Sequence, residues 1–98
     1  MKLIDVGISG TFESSDIMIT LERNTQKGII INLKSTVKEQ FGKQIVKVIE
    51  ETLKETGMTD VIVYANDKGA LDCTIKARIL TAVYRASRST EYVWGDVK

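Results

Sequence analysis

Two adjacent hydroxyls between two carboxylates, Glu13-Ser14-Ser15-Asp16, are the residues of this chain whose types and spacing suit chemistry. They close the stretch Gly10-Thr11-Phe12-Glu13-Ser14-Ser15-Asp16, with one alternating apolar run before it and another after it, so a chain reversal is expected there. Ser and Asp favour turns because their side chains hydrogen-bond nearby backbone groups. One reading of the four residues is therefore a hairpin tip and nothing more. The other is that one hydroxyl carries a group. A serine oxygen is a weak nucleophile until a base takes its proton. The chain has no His and no obvious base beside the serines, so a serine used here is activated by another protein. Glu13 and Asp16 could form an acid–base pair, but an exposed turn leaves both solvated, with nothing to tune their acidity. Recognition is the alternative role: Glu13, Ser15 and Asp16 would give a modifying enzyme's basic pocket something to read.

The remaining inventory argues against self-contained catalysis. Without His there is no Ser-His or Cys-His pair, and a lone Cys without His makes no standard zinc site, so no metal is expected. No Gly-rich phosphate loop is present. Cys73 is expected early in a second helix, as a small packed residue and not a nucleophile. That helix would also carry Lys76, Arg78, Arg85 and Arg88. Arg78 and Arg85 lie one heptad apart and share a flank. They are either solvated, with stems over the sheet edge, or a docking strip for an acidic partner or for the phosphates of a carried group.

Size bounds the architecture. With 98 residues, the chain is expected to form one domain over 1–98, with a thin stability margin. Its 43% hydrophobic and 28% charged residues are ordinary for a globular protein. A net charge of +1 gives no bias toward nucleic acid or membrane, and the strands lack the aromatic and basic stacking surface of a nucleic-acid binder. The single cysteine fits a reducing cytoplasm. The early charges of Met1-Lys2-Leu3-Ile4-Asp5 speak against a signal segment, and no apolar run is long enough to span a bilayer.

The elements that must position the turn follow from periodicity. Leu3 to Phe12 alternates, with Ile4, Val6, Ile8 and Phe12 expected inward and Asp5, Ser9 and Thr11 outward; Gly7 and Gly10 mark a bulge or a close backbone approach. Ile17, Ile19 and Leu21 define a second strand, and Ile29, Ile31 and Leu33 a third. Asn24 to Gly28 is the turn between those two, with Asn24 and Gly28 as candidates for positive φ. Short connections suggest an antiparallel meander. Val37, Phe41, Ile45, Val48, Ile49 and Leu53 then recur at helical spacing. Thr36 and Glu39 have capping-box spacing, Gly57 suits the position just past the helix end, and Glu39–Lys43 and Lys47–Glu51 are spaced to pair on a solvated face. Asp60 to Ala65 is a fourth strand, apolar on both faces and so more completely buried. Asn66-Asp67-Lys68-Gly69 ends it, and Leu71, Ile75, Ile79, Ala82, Val83 and Ala86 form the buried stripe of a helix over 70–87. In the tail, Tyr92, Val93 and Trp94 are expected to fold back on the core.

The order β-β-β-α-β-α with one-faced helices predicts an α+β two-layer sandwich: a mainly antiparallel sheet of about four strands with both helices on one face. The fourth strand joins an edge or inserts, and the sequence leaves that open.

Three blocks carry a family resemblance. Gly10 to Asp16 resembles the modification motif of the citrate lyase acyl carrier proteins, the gamma subunits of that complex. Asp67-Lys68-Gly69-Ala70-Leu71-Asp72-Cys73, followed by Ala77-Arg78, is a second match, and Gln40-Phe41-Gly42 with Gln44-Ile45 a third. The resemblance implies covalent attachment of 2'-(5''-phosphoribosyl)-3'-dephospho-CoA to Ser14, the first serine of the pair. The thiol of that group would carry acetyl or citryl thioesters between the citrate lyase alpha and beta subunits after loading by a prosthetic-group transferase. It implies a non-catalytic subunit of a complex that cleaves citrate to acetate and oxaloacetate. The flanking carboxylates would repel the new phosphodiester unless screened. The alternatives are a malonate decarboxylase-type carrier and an interaction or assembly module whose serine turn is only a turn.

Overall fold

The computed structural model describes residues 6–87. The aromatic tail, the first five residues and Arg88 lie outside the described residues. Six elements follow in the expected order: β1 (Gly7–Ser9), β2 (Ile17–Arg23), β3 (Gly28–Ser35), α1 (Lys38–Glu55), β4 (Asp60–Asp67) and α2 (Asp72–Ser87). They form an α+β sandwich with the sheet order β1-β2-β4-β3. The helices cover one face, α2 over β1 and β2 and α1 beside β3.

The expected meander is not formed, because β4 inserts between β2 and β3. It runs antiparallel to β2, with Ile17 opposite Asp67, and parallel to β3, with Ile31 opposite Val63. The sheet is therefore mixed. The β2–β3 turn is built to leave that gap. Asn24 donates its backbone N–H to the Asp60 carbonyl, Gly28 donates its N–H to the Asp60 carboxylate, and the Asn24 amide donates to the carbonyls of Lys27 and Gly28. The first residue of β4 is thus held between the two ends of the turn. Positive φ falls at Lys27 and Gly28, not at Asn24. The expected burial of β4 on both faces is met on one: Val61, Val63 and Ala65 are buried beneath the helices, while Tyr64 is exposed on the face that no helix covers.

The core joins Ile17, Ile19 and Leu21 of β2 and Val61, Val63 and Ala65 of β4 to the stripes of the two helices. Phe41 and Leu71, expected in those stripes, are exposed. Helix α1 begins at Lys38 without a side-chain cap on its N-cap Val37, so the capping box is absent. Instead the Ser35 hydroxyl accepts the Val37 N–H. The far end closes as expected: Gly57 donates to the Lys54 carbonyl and Met58 to that of Leu53, the Schellman pattern. Among the described residues the exposed ion pairs are Glu50–Lys54 and Glu55–Lys76, not Glu39–Lys43 or Lys47–Glu51. Being exposed, they contribute little.

Strand β1 faces the opposite way from its apolar pattern. Gly7 and Ser9 are buried, while Val6, Ile8 and Phe12 are exposed. The cause is α2, which crosses β1 so closely that a Cβ at Gly7 would lie 2.1 Å from the Ala82 carbonyl oxygen. Only the smallest residues fit beneath the helix. The larger ones turn to the helix-free face, where Ile30 and Tyr64 are also exposed. Among the described residues, no helix is long and apolar enough to cross a membrane.

Candidate functional site

The serine turn is held from three sides. Gly10 has φ +98° and sits so close to β2 that a Cβ there would meet the Ile17 carbonyl oxygen, so glycine alone lets the chain leave β1 at this angle. Within the turn, Asp16 donates its N–H to the Glu13 carbonyl (3.2 Å). From the other side, the β2–β4 ladder extends past the strands: Ser15 donates its N–H to the Lys68 carbonyl (2.8 Å), and Lys68 donates to the Asp16 carbonyl (2.9 Å).

That second side depends on Asp67, expected from the sequence in a strand break and as the first residue of the second family block. Its side chain is fully buried. One carboxylate oxygen accepts from the Ser35 hydroxyl (2.8 Å) and the Gly69 N–H (3.0 Å), the other from the Ala70 N–H (2.9 Å). Hydrogen-bond satisfaction, here by three donors, is the condition for keeping an acid buried, and the Asp67 carbonyl adds a bond from Thr36 N–H. The loop it shapes supplies the Lys68 backbone that brackets the serines. Its Asx-turn chemistry was the signal available in the sequence. At the loop's end, the Gln44 amide donates to the Asp72 carboxylate (2.9 Å). The fold thus gathers Gly10–Asp16, Gln40–Ile45 and Asp67–Cys73, distant in sequence, at one end of the molecule.

The two carboxylates of the motif differ. Glu13 is exposed. Asp16, expected to be solvated, is not: the Arg78 guanidinium donates from Nε and a terminal nitrogen to its two oxygens (2.9 and 2.8 Å), Thr11 donates its hydroxyl (2.7 Å), and the Ile17 N–H completes the set (2.7 Å). The Arg78 hydrogen bonds, then the Thr11 hydroxyl, hold the Asp16 carboxyl well below the usual carboxylate range against a smaller opposing effect of burial. Arg78 is itself pushed up by the same partner. Arg85 has an internal partner too, donating to the Ile8 carbonyl (2.7 Å). The guanidinium groups of the expected docking strip therefore clamp the serine turn and β1 onto α2. Cys73, expected to be packed, is exposed.

Ser14 and Ser15 are both exposed, yet they are not equivalent. Ser14 stands at the turn's apex, and no hydrogen bond engages its Oγ among the described residues. Ser15 has φ 65°, a left-handed conformation that costs a non-glycine residue roughly 1–2 kcal/mol. Ser15→Gly should therefore raise unfolding free energy by about 1 kcal/mol, measured by urea titration; a loss would mean that the Ser15 side chain does more than fill the turn.

The Asp16–Arg78 pair predicts a pH dependence. A carboxylate held low in the folded state stabilises the fold above its unfolded pKa, and that contribution is lost as pH falls below it. Arg78→Met should be less stable than the parent at neutral pH, and the deficit should shrink as pH drops below the ordinary value of 3.8. Urea unfolding across that range measures it. A deficit independent of pH would assign the loss to the arginine stem.

A family model described as malonate decarboxylase delta subunit (MdcD), of the class ACP, matches residues 5–86, which places the chain among the acyl carrier proteins. It is 50% identical over 97 residues to a citrate lyase acyl carrier protein of Streptococcus mutans serotype c, covering 99% of this chain and 95% of that one. The corresponding protein of Clostridium perfringens is 49% identical over 98 residues, covering 100% and 97%, and that of Lacticaseibacillus casei 53% over 97 residues, covering 99% and 95%. The chain belongs to the citrate lyase acyl carrier protein family. In fold it is similar to a chain of a Pseudomonas malonate decarboxylase hetero-tetramer solved with malonate, with a TM-score of 0.65 at 15% identity over 80% of this chain and 79% of that one.

Proposed function

We propose that this chain is the acyl carrier subunit of a cytoplasmic citrate lyase complex, with Ser14 Oγ as the attachment point of 2'-(5''-phosphoribosyl)-3'-dephospho-CoA. The carrying observation is the isolation of that hydroxyl at the apex of a turn braced on both sides. The residues present fit the group. A phosphodiester at Ser14 would be repelled by two free carboxylates, but Arg78 compensates the charge of Asp16 and leaves Glu13 as the one uncompensated acid of the motif. When bound, the group supplies a terminal thiol that carries an acyl chain as a thioester.

The chain's own residues position and do not react. No His is present, Asp16 is committed to Arg78, a poor state for a general base, and among the described residues no hydrogen bond joins the exposed Glu13 carboxylate to the Ser14 hydroxyl. Removal of the Ser14 proton therefore falls to a prosthetic-group transferase, and acyl chemistry to the alpha and beta subunits. The body offers an exposed oxygen on a turn held by backbone bonds to Lys68. A malonate decarboxylase-type carrier is the second reading, favoured by the fold likeness to that complex. An assembly module is a third.

The test is co-production with the cognate transferase, followed by peptide mass mapping. One prosthetic group on Ser14 is the expected result. Attachment at Ser15 would overturn the site, and a chain never loaded would overturn the carrier reading. Acyl transfer in a complex reconstituted with citrate lyase or malonate decarboxylase subunits separates the first two readings.

A further inference from the structure

The helix-free face of the sheet beside the serine turn holds an open groove of about 590 Å³. Its floor is the cross-strand row Met18–Asn66–Lys34, with Tyr64 two residues further along β4. Phe12 stands at one side and Lys38 at the other. No acidic residue lines it, and neither lysine has a carboxylate partner among the described residues. Phe12 and Tyr64 are large aromatic side chains left 60% and 43% exposed. Two aromatic faces, an amide and two unpaired cations suit a purine joined to a diphosphate: flat bases stack on aromatic rings, an amide can read a purine edge, and lysines hold phosphate as point charges.

We propose that this groove seats the adenosine diphosphate part of the group carried on Ser14. The inference rests on the attachment reading above. Ser14 is within reach: Met18 follows it by four positions, at most about 14 Å of chain, and Phe12 precedes it by two. The base lies against Phe12 and Tyr64, with the Asn66 amide at its edge, and the diphosphate lies between Lys34 and Lys38. Seating the nucleotide on the body shortens the free arm to its pantetheine end, which narrows the volume the thiol searches. The exposed rings of Phe12 and Tyr64 are then covered by the protein's own cargo.

The full-length unmodified chain, isotopically labelled, is titrated by NMR with ADP and separately with pantetheine. ADP should shift the amides of Met18, Asn66 and Lys34 and the Tyr64 ring, saturating in the millimolar range that suits a tethered ligand, and pantetheine should leave them unmoved. The double variant K34E/K38E, changed only at exposed positions, should keep the spectrum of the fold and weaken ADP about tenfold. Shifts confined to α2, equal effects of pantetheine, no response at about 10 mM ADP, indifference to the charge reversals, or concentration-dependent pairing of two copies through this face would each overturn the proposal. Ser14→Ala should bind ADP as the parent does. A loaded Ser14 with a silent groove therefore sinks this inference alone, and a responsive groove with loading elsewhere sinks the attachment reading alone.

Discussion

Ser14→Ala is expected to abolish loading completely while leaving the fold unchanged. The loss is total because attachment at this position requires an oxygen nucleophile, and alanine supplies none. The fold is spared because Ser14 is exposed and no partner holds its hydroxyl among the described residues. Exposed substitutions of this kind stay within about 0.5 kcal/mol. Ser15→Ala is the informative comparison. The bonds that brace the turn at this residue come from its backbone N–H to the Lys68 carbonyl, which alanine keeps, so loading should survive. Intact mass after co-production with the transferase reads both variants. Loading of Ser14→Ala would move the site to Ser15 or beyond, and loss of loading in both would require that the transferase read the pair as a unit.

Much of this arrangement is legible in the chain, and the failures have physical causes. Element order and the buried faces of β2 and most of both helices follow from periodicity over long stretches, where several residues must agree, whereas the apolar run of β4 suggested two buried faces and the structure buries one. The position of β4 does not follow, because pairing with β2 and with β3 is decided by how one turn wraps Asp60. Orientation of β1 is missed for a related reason. The strand is short, and its alternation of apolar Val6 and Ile8 with Gly7 and Ser9 gives way to the proximity of α2. At the site, the serines and the turn are evident from residue type. The compensation of Asp16 by Arg78, 62 positions away, is not, since local spacing holds no trace of it. Its one sequence signal was the presence of Arg78 within the family blocks.

The close approach of α2 and β1 carries the largest stability effect expected in the fold. Gly7→Ala places a methyl 2.1 Å from the Ala82 carbonyl oxygen, 2.7 Å from the Ala86 Cβ and 2.9 Å from the Ala86 nitrogen. Two of these three are backbone atoms of a helix whose same face packs on the core through Ile75, Ile79 and Val83, so no side-chain rotation relieves them. Overpacking of a rigid interior costs typically 1–3 kcal/mol and sometimes more. A domain of this size has a total stability of about 5–15 kcal/mol. The upper part of the overpacking range is expected, about 3 kcal/mol, a shift of more than a hundredfold in the folded-to-unfolded ratio. Ala86→Gly in the same chain separates the causes. It removes the Cβ contact and leaves the carbonyl contact, so it should recover only a minor part of the loss in urea unfolding. Full recovery would mean that the helix moves away from the strand freely. Pairing with β2 and the clamp from Arg85 to the Ile8 carbonyl (2.7 Å) would then hold β1, and with it the path of the chain into the serine turn.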